Sequence, residues 1–354
     1  MKLKVIISIL LFAISAVVLI GAARDDGYGP YNPTYLKFSI PKGWPKPATD
    51  IFAKNRLTEQ GFQLGRKLFY DSRLSSDKEV SCAGCHQPFA AFSTFDHDLS
   101  HGVGNSFTNR NAPALMNLAW MTSYHWDGGV NHIEVQPLAP ITATNEMGQT
   151  LDTLLTFLKA DTSYRRLFKA AFGDPNINSQ RMLKALAQFT GSLVTFNSKY
   201  DRVQNGLDTF TRFEKNGYAL FKANCASCHK EPLFTDNSFR NNGISLNRFN
   251  DVGRQKITGS VADSLKFKVP TLRNIQVTGP YMHDGRIFSV PQVLDHYIAK
   301  TANPHAGMDT LLQKPIVLNK LQKNELTYFL YTLTDTSFTK SRRFGPDGEV
   351  IFKH

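Results

Sequence analysis

Hydrophobic and polar residues are spaced as in helices over several segments of the chain. In 58–70 and 211–223, apolar side chains recur every three or four residues, and a threonine stands where an N-cap is favoured. The same spacing marks 151–160, 180–200 and 322–333. Strand-like alternation is weak throughout. The pattern predicts a mainly α protein in which 180–200 is a helix that links two halves.

The first residues have the composition of an export signal. Lys2 and Lys4 precede an apolar run over 5–20, and the small residues at 21–23 resemble a cleavage site. We therefore predict a signal peptide over 1–23 and export to the periplasm. An uncleaved anchor is the alternative, although the run is shorter than the ~20 residues that usually span a bilayer.

Two further terminal segments lack helical periodicity. Residues 24–50 are rich in proline, glycine and tyrosine, which indicates an N-terminal arm on the surface. Residues 336–354 are predicted to form a C-terminal tail, and its Phe338, Phe344 and Phe352 suggest that part of the tail packs against the protein.

Composition limits the class of protein. The 354 residues suffice for two domains, and 42% hydrophobic with 20% charged residues is typical of a folded protein. The net charge is +12, but lysine and arginine are scattered, so we expect no nucleic-acid binding. The charge instead favours a protein partner with an acidic face.

All four cysteines occur in two C-x-x-C-H motifs. These are Cys82-Ala-Gly-Cys85-His86 and Cys225-Ala-Ser-Cys228-His229. The spacing is that of c-type haem attachment, in which two thiols bind the haem and the histidine becomes the proximal iron ligand. A redox disulfide or half a zinc site is the alternative for one such motif. Two motifs that use every cysteine favour two covalent haem c groups and no disulfide.

The surroundings of the two motifs repeat. Pro113-Ala-Leu-Met-Asn117 and Pro270-Thr-Leu-Arg-Asn274 are offset by 157 residues. A block that begins at Tyr124 and one that begins at Tyr281 share the same offset. We therefore predict an internal duplication. The fold class is two tandem cytochrome c-like domains, 51–205 and 206–335, each with one covalent c-type haem.

The repeat also shows where the two halves differ in residues that could bind iron. An offset of 157 pairs Pro140 with Tyr297, and tyrosine can bind iron whereas proline cannot. The second haem can thus be six-coordinate while the first stays open. Peroxide chemistry at an open haem needs groups that move protons. Gln136 and Glu146 in the first half are candidates.

In these motifs the chain resembles the bacterial di-haem cytochrome c peroxidases, including their MauG branch. The resemblance extends from about 57 to 335. It rests on residues in family order and spacing, namely Asn111-Ala-Pro113, Trp126-Asp-Gly128, Gln136, Pro140, Glu146-Met147, Pro270-Thr-Leu-Arg-Asn274 and Thr278-Gly-Pro-Tyr-Met-His-Asp-Gly285.

The resemblance implies a role for each half. The N-terminal haem would react with peroxide in a pocket lined by Gln136 and Glu146, and the C-terminal haem would accept electrons from a donor protein. Trp126 would relay electrons between the haems. The resemblance also implies a calcium ion between the domains, held chiefly by carbonyl oxygens of the three residues Asn111, Thr278 and Pro280.

Two positions depart from the usual family pattern. Classical members carry a methionine ligand 19 residues after the threonine of the T-x-P motif. This chain has Tyr297 there, as in the MauG branch. Tyr297 is therefore the preferred sixth ligand of the C-terminal haem, and Met308 is the alternative. His296 and His305 are weaker candidates.

The second departure concerns an inhibitory histidine on the N-terminal haem. The family position falls near Val103, and His101 lies two residues away, with His97 as a weaker candidate. Either could be a loop histidine with no ligand role.

These features support three functions. The first is reduction of hydrogen peroxide to water with electrons from an exported small cytochrome c or copper protein. The second is MauG-like oxidation of side chains on another protein. The third is plain electron transfer, which would not need Gln136 or Glu146. A homodimer is compatible with all three.

Overall fold

The computed structural model describes residues 31–47, 49–305 and 307–346. The predicted signal peptide and Phe352 lie outside these residues. Helices predominate, as expected, and the only strands in the described part are β1 (Phe239–Arg240) and β2 (Phe267–Lys268), which pair antiparallel. The helices are α1 (Glu59–Tyr70), α2 (Cys82–Cys85), α3 (Leu138–Thr142), α4 (Leu151–Ala160), α5 (Thr162–Phe172), α6 (Ser179–Gly191), α7 (Lys199–Gln204), α8 (Arg212–Asn224), α9 (Gln255–Thr258), α10 (Val290–Ala302), α11 (Lys320–Tyr331) and α12 (Thr336–Thr339).

Threonine caps begin the two helices that lead to the C-x-x-C-H motifs. The Thr58 hydroxyl accepts a hydrogen bond from the backbone N–H of Gly61 at 3.0 Å, which starts α1. The Thr211 hydroxyl accepts from the N–H of Glu214 at 3.3 Å, and the Glu214 carboxylate accepts from the N–H of Thr211 in return. These reciprocal bonds satisfy N–H groups that have no partner within the helix. The predicted N-caps are confirmed.

The predicted helix over 180–200 is interrupted. The helix α6 ends at Gly191, and α7 begins only at Lys199. Between them, backbone N–H groups donate to side chains: that of Thr195 to Asn117 Oδ1 at 3.0 Å, and that of Asn197 to Asp335 Oδ2 at 2.9 Å. Side-chain acceptors from elsewhere in the chain therefore replace the helical carbonyls. The prediction of one continuous helix was wrong for this reason.

Two hydrophobic cores organise the molecule. In the first, α1 packs against α6, and in the second, α8 packs against α11. A glycine stands at each crossing. A Cβ atom on Gly65 would overlap the carbonyl oxygen of Ala185, and one on Gly217 would overlap that of Glu325. Both helix pairs thus depend on the absence of a side chain at the crossing.

The N-terminal arm is packed against the protein. The rings of Trp44 and Trp120 lie 5.0 Å apart, and the Trp120 indole N–H donates to the carbonyl of Pro45 at 2.7 Å. The guanidinium of Arg273, from the second half, lies 4.5 Å from the Trp44 ring. The arm therefore contacts both halves and is more than a loose surface segment.

The C-terminal tail packs on the first core. Phe338 belongs to that core, and Phe344 packs against it. Their rings lie 5.8 and 6.4 Å from that of Phe92. The prediction that part of the tail packs is confirmed for these two residues. Within the described ranges, no helix has the length and apolar character needed to cross a membrane.

Candidate functional site

A cavity of about 940 Å³ is lined by residues from both cores. Both C-x-x-C-H motifs reach it, through Cys85 and His86 in the first half and through Cys225, Cys228 and His229 in the second. Its walls are mainly apolar. The fold therefore joins the two motifs in one shared interior space.

The first motif forms the short helix α2. The Ser81 hydroxyl accepts from the N–H of Gly84 at 3.2 Å and starts this turn. His86 then donates from Nδ1 to the carbonyl of Phe92 at 2.9 Å. Because Nδ1 is occupied, Nε2 is the nitrogen left to bind a metal.

The second motif follows α8 directly. Cys225 is the C-cap of this helix. His229 Nδ1 lies 3.1 Å from the carbonyl oxygens of both Phe234 and Pro270. The two histidines thus have the same ring nitrogen held by backbone carbonyls, and both leave Nε2 for a metal.

The protonation states suit a ligand role. Burial raises the pKa of Cys82 and of Cys225 to about 12, and all four thiols are free. Burial lowers the pKa of His86 to about 4 and lowers that of His229 below 6.5. Both imidazoles are therefore neutral near pH 7, which is the form that binds metals.

The residues predicted for the peroxide pocket come together. Gln136, Pro140 and Glu146 all line the cavity on the side of the first motif, with His86. Burial raises the pKa of the Glu146 carboxyl above its ordinary 4.5. A second histidine that the sequence analysis missed, His125, lies with its Nε2 atom 3.4 Å from Gln136 Nε2.

Trp126 is held between the two halves. Its indole N–H donates to the carbonyl of Asn111 at 2.9 Å, and its own carbonyl accepts from the N–H of Lys268 at 2.7 Å. The N–H of Asn111 donates in turn to the carbonyl of His283 at 2.9 Å. The ring is therefore anchored to Asn111, and the backbones of both Trp126 and Asn111 are hydrogen-bonded to the second half.

Charged residues reinforce this junction. Arg110 forms a bidentate ion pair with Asp251, at 2.6 and 2.8 Å, and also pairs with Asp127. Lys268 was not singled out from the sequence. Its buried ammonium donates to the carbonyl of Ser123 at 2.7 Å, and burial lowers its pKa to about 8.

The structure separates the two candidate sixth ligands. Tyr297 lies on α10 and lines the cavity. Burial raises the pKa of its phenol, and a hydrogen bond with the Asn242 side chain opposes this rise. Met308 is buried outside the cavity lining, where its sulfur faces Gly243. His296 is also outside the lining, with Nε2 3.1 Å from the carbonyl of Asn242, and so is His305.

The candidate inhibitory histidines lie outside the cavity. The exposed His101 packs its ring 4.7 Å from that of Phe107 and 5.2 Å from that of His97. Its carbonyl oxygen is 3.9 Å from Cys85 Sγ. The fold thus places this loop beside the first motif without directing either imidazole into the cavity.

The three residues predicted to hold calcium all line the cavity. Asn111 donates from Nδ2 to the carbonyl of Asp98 at 3.0 Å. Thr278 and Pro280 lie just before Tyr281, which pairs with Ile287 across a turn. In the described residues, His, Cys, Asp and Glu form no group of three or more that could hold a metal ion. A calcium site here would therefore use carbonyl and amide oxygens, which suit a hard cation.

The sequence matches known proteins over most of its length. A family profile described as "Di-haem cytochrome c peroxidase" matches residues 59–209. The methylamine utilization protein MauG of Methylorubrum extorquens is 37% identical over 306 residues, which is 84% of this chain and 83% of the relative. The chain belongs to the di-haem cytochrome c peroxidase family.

Other relatives agree with this assignment. The cytochrome c551 peroxidase of Nitrosomonas europaea is 32% identical over 66% of this chain and 71% of its own. A solved MauG-like protein associated with microbial copper homeostasis superposes with a TM-score of 0.80 at 32% identity, over 88% of this chain and 99% of that chain. A di-haem peroxidase from Burkholderia thailandensis, at 20% identity and a TM-score of 0.71, shares the fold.

Membership makes this protein a peroxidase, an oxidoreductase whose family carries two haem c groups. The residues present fit that cofactor. Each motif offers free thiols, each motif histidine is neutral with Nε2 available, and one largely apolar cavity is lined by residues of both motifs.

Proposed function

We propose that this di-haem peroxidase reduces hydrogen peroxide to water in the periplasm, with electrons from a small cytochrome c or copper protein. One observation carries the proposal: a single cavity is lined by residues of both C-x-x-C-H motifs, by two polar residues suited to peroxide, and by a tryptophan between the halves. The donor would reach the C-terminal half, and peroxide would react in the N-terminal half.

We propose that the chain is a duplication with haem domains over 51–205 and 206–335. In support, each half crosses two helices at a glycine, and each holds its motif histidine through Nδ1 and a backbone carbonyl. Cys82 and Cys85 would bind one haem covalently, and Cys225 and Cys228 the other. The proximal iron ligands would be His86 and His229.

The haem groups, when bound, supply iron that binds peroxide and stores oxidising equivalents. The residues of the chain handle the protons. A carboxylate oxygen of Glu146 takes the proton from the near peroxide oxygen and returns it to the leaving oxygen. Gln136 orients the peroxide by hydrogen bonding. The ring of Trp126, fixed between the halves, passes electrons inward.

Steady-state turnover tests this function. The haem-loaded protein is mixed with hydrogen peroxide and reduced cytochrome c or reduced copper protein, with and without pre-reduction. We expect peroxide-dependent oxidation of the donor. Replacing Trp126 with phenylalanine should leave peroxide binding intact and slow electron flow between the haems. Donor oxidation that does not depend on peroxide would contradict the proposal.

We also propose Tyr297 as the sixth ligand of the C-terminal haem. It lines the cavity whereas Met308 lies outside it. Tyr297→Phe should convert a six-coordinate low-spin ferric haem to a high-spin one and leave the other haem unchanged. A thioether charge-transfer band that vanishes in Met308→Ala, but persists in Tyr297→Phe, would assign the ligand to Met308.

The tyrosine favours a second candidate function. A tyrosinate ligand lowers the reduction potential of a haem and favours higher oxidation states, which suits MauG-like oxidation of side chains on a protein substrate. The two functions differ in the turnover assay. Rapid peroxide turnover with a reduced cytochrome supports the first function, and weak turnover despite full haem content supports the second.

The calcium site belongs to the same proposal. Asn111, Thr278 and Pro280 line the cavity where the two halves meet, and Asn111 also accepts the indole N–H of Trp126. Removal of calcium by a chelator should therefore disturb the Trp126 contact and slow electron transfer between the haems. Re-addition of calcium should restore the rate, and re-addition of magnesium, which prefers a smaller octahedral site, should not.

A further inference from the structure

His125 is a cavity residue to which the mechanism above gives no role. It lies immediately before Trp126, and its imidazole lines the cavity beside Gln136. The side-chain contact joins His125 Nε2 to Gln136 Nε2 at 3.4 Å. The backbone at His125 has a φ of 66°, in the left-handed region. A hydrogen bond of 2.7 Å from the N–H of Tyr124 to the carbonyl of Val130 closes this turn.

The chemistry of the two nitrogens fixes which one donates the hydrogen bond and which one accepts it. A carboxamide nitrogen carries only donors, so the imidazole nitrogen opposite must accept. His125 is therefore neutral in this contact, with its proton on Nδ1. The bond commits the amide nitrogen of Gln136 to His125, and the amide oxygen is the atom that remains for a ligand.

We propose that His125 is a positioning residue of the peroxide pocket, which holds Gln136 so that its amide oxygen accepts an O–H of hydrogen peroxide. This inference rests on the proposed peroxidase function. Without His125 the amide can rotate by half a turn and present N–H groups instead. Peroxide would then meet a donor where its proton needs an acceptor.

The other half of the chain supports the assignment. The residue 157 positions after His125 is Met282, whose backbone has a similar φ of 72°. Its sulfur lies 3.4 Å from Asn242 Nδ2. The same turn therefore accepts an unbranched apolar side chain, and the imidazole occurs only in the half that contains Gln136 and Glu146.

The contact should also respond to pH. Burial lowers the pKa of His125 below 6.5, and the Lys268 ammonium and the Arg110 guanidinium reinforce this shift. The Asp127 carboxylate and a hydrogen bond to the backbone of Gln136 oppose it. The His86 imidazole also faces this region. Protonation of His125 turns Nε2 into a donor, and Gln136 must then turn its oxygen toward it. Peroxide reaction should therefore slow as the pH falls through the lowered pKa of His125.

A double-mutant cycle tests the inference on the haem-loaded protein by stopped-flow reaction with hydrogen peroxide. We expect His125→Leu to slow the reaction roughly 3- to 10-fold, as befits one net hydrogen bond. The same change should have no further effect in a Gln136→Leu background. His125→Gln should restore most of the rate, because its Oε1 can accept where Nε2 did. Leucine is used because methionine could bind the haem iron.

The pH profile gives a second readout. The slowing at acidic pH should be weaker in His125→Leu and unchanged in the control His132→Leu, an exposed histidine of the same segment. If His125→Leu does not fold, His125→Gly replaces it, since glycine adopts the left-handed region freely and has no side-chain acceptor.

Three outcomes would overturn the inference: an unchanged rate in His125→Leu, equal slowing in the parent and Gln136→Leu backgrounds, or no rescue by His125→Gln. An absence of peroxide turnover in the parent would instead refute the proposed function. The two failures are thereby distinguished.

Discussion

Glu146 places a carboxyl group in a largely apolar cavity. Its carboxyl faces the shared cavity, and burial raises its pKa above the ordinary value. A carboxyl of raised pKa holds a proton closer to neutral pH than an exposed one, which suits a group that must both accept and return a proton. The proposed proton transfer therefore depends on this side chain.

Replacing Glu146 with glutamine tests this role directly. The amide keeps the shape of the side chain but cannot accept a proton, so peroxide cleavage should slow by roughly 10²- to 10⁴-fold. Haem content and thermal stability should remain those of the parent. Stopped-flow spectra give the rate, and the exposed Glu79→Gln serves as the control. An undiminished rate would remove Glu146 from the mechanism.

The residues of the pocket differ in how well the sequence predicts them. Gln136 and Glu146 occur at family spacing, and their convergence on the cavity follows from the fold that this spacing implies. His125 has no such pattern, since a histidine beside a tryptophan is unremarkable in sequence. Its contact with Gln136 exists only after a left-handed turn aims the side chain inward. In the sequence, His125 stands out only because the repeat pairs it with Met282.

At the scale of elements, the two helix crossings depend on close backbone approach. The helices α8 and α11 meet where Gly217 lies against the carbonyl of Glu325 and the Cβ atom of Phe329. The sequence showed glycine at equivalent positions before both haem motifs. It did not show the partner helices, because a crossing joins residues more than one hundred positions apart.

Gly217→Ala should destabilise the protein in spite of the higher helix propensity of alanine. The propensity gain is about 1 kcal/mol, whereas overpacking of a helix crossing costs roughly 1–3 kcal/mol and shifts both helices. Chemical denaturation of the haem-loaded protein measures the net change. Gly345→Ala is the control, because Gly345 has a φ of −76° and no overlapping neighbour. A gain in stability for Gly217→Ala would contradict this account.

The interrupted helix shows a different limit of sequence patterns. Apolar spacing continues beyond Gly191, yet the chain leaves the helix there. The cause is Asp335, which is buried and accepts hydrogen bonds from the hydroxyl of Thr195 and the N–H groups of Phe196 and Asn197. An acceptor that lies 140 residues away along the sequence cannot be read from local periodicity.

The same carboxylate should make stability depend on pH. Burial alone would raise its pKa, but hydrogen bonds from Ser337, Asn197 and Thr195 outweigh this effect and lower the pKa below 3.8. Its stabilising contribution is therefore complete above about pH 4 and is lost as the pH falls through the lowered value.

Asp335→Asn should cost about 1–3 kcal/mol near pH 7, because it leaves buried donors without an acceptor. The difference in unfolding free energy between parent and variant should shrink as the pH falls below 4. Denaturation curves at several pH values measure it. A difference that stays constant down to pH 2 would show that the carboxylate charge does not matter.

At the scale of the whole molecule, positively charged residues outnumber negatively charged ones. The chain carries 41 lysine and arginine residues against 29 aspartate and glutamate residues, for a net charge of +12. Such an excess attracts an acidic partner over a distance of about one Debye length. The charge was evident from composition, whereas the face at which a donor docks depends on folded geometry.

The association rate with an acidic electron donor should therefore fall as salt is added. Raising the ionic strength from about 0.01 M to 0.15 M shortens the screening length from ~30 Å to ~8 Å, which removes most of the steering. Stopped-flow mixing with the reduced donor gives the rate, and a neutral small-molecule reductant provides the reference. A donor rate that does not change with salt would exclude electrostatic steering.

The packing of the tail affects the order in which the first core can form. Phe338 completes the first core, the Tyr70 hydroxyl donates to the carbonyl of Phe344 at 2.7 Å, and Arg343 pairs with Glu59 at 2.8 Å. Nascent domains usually fold in order of synthesis. Here the first core gains Phe338 and Phe344 only after 336–344 have been synthesised. We therefore expect the first core to reach its full stability late in synthesis, after most of the second half has left the ribosome.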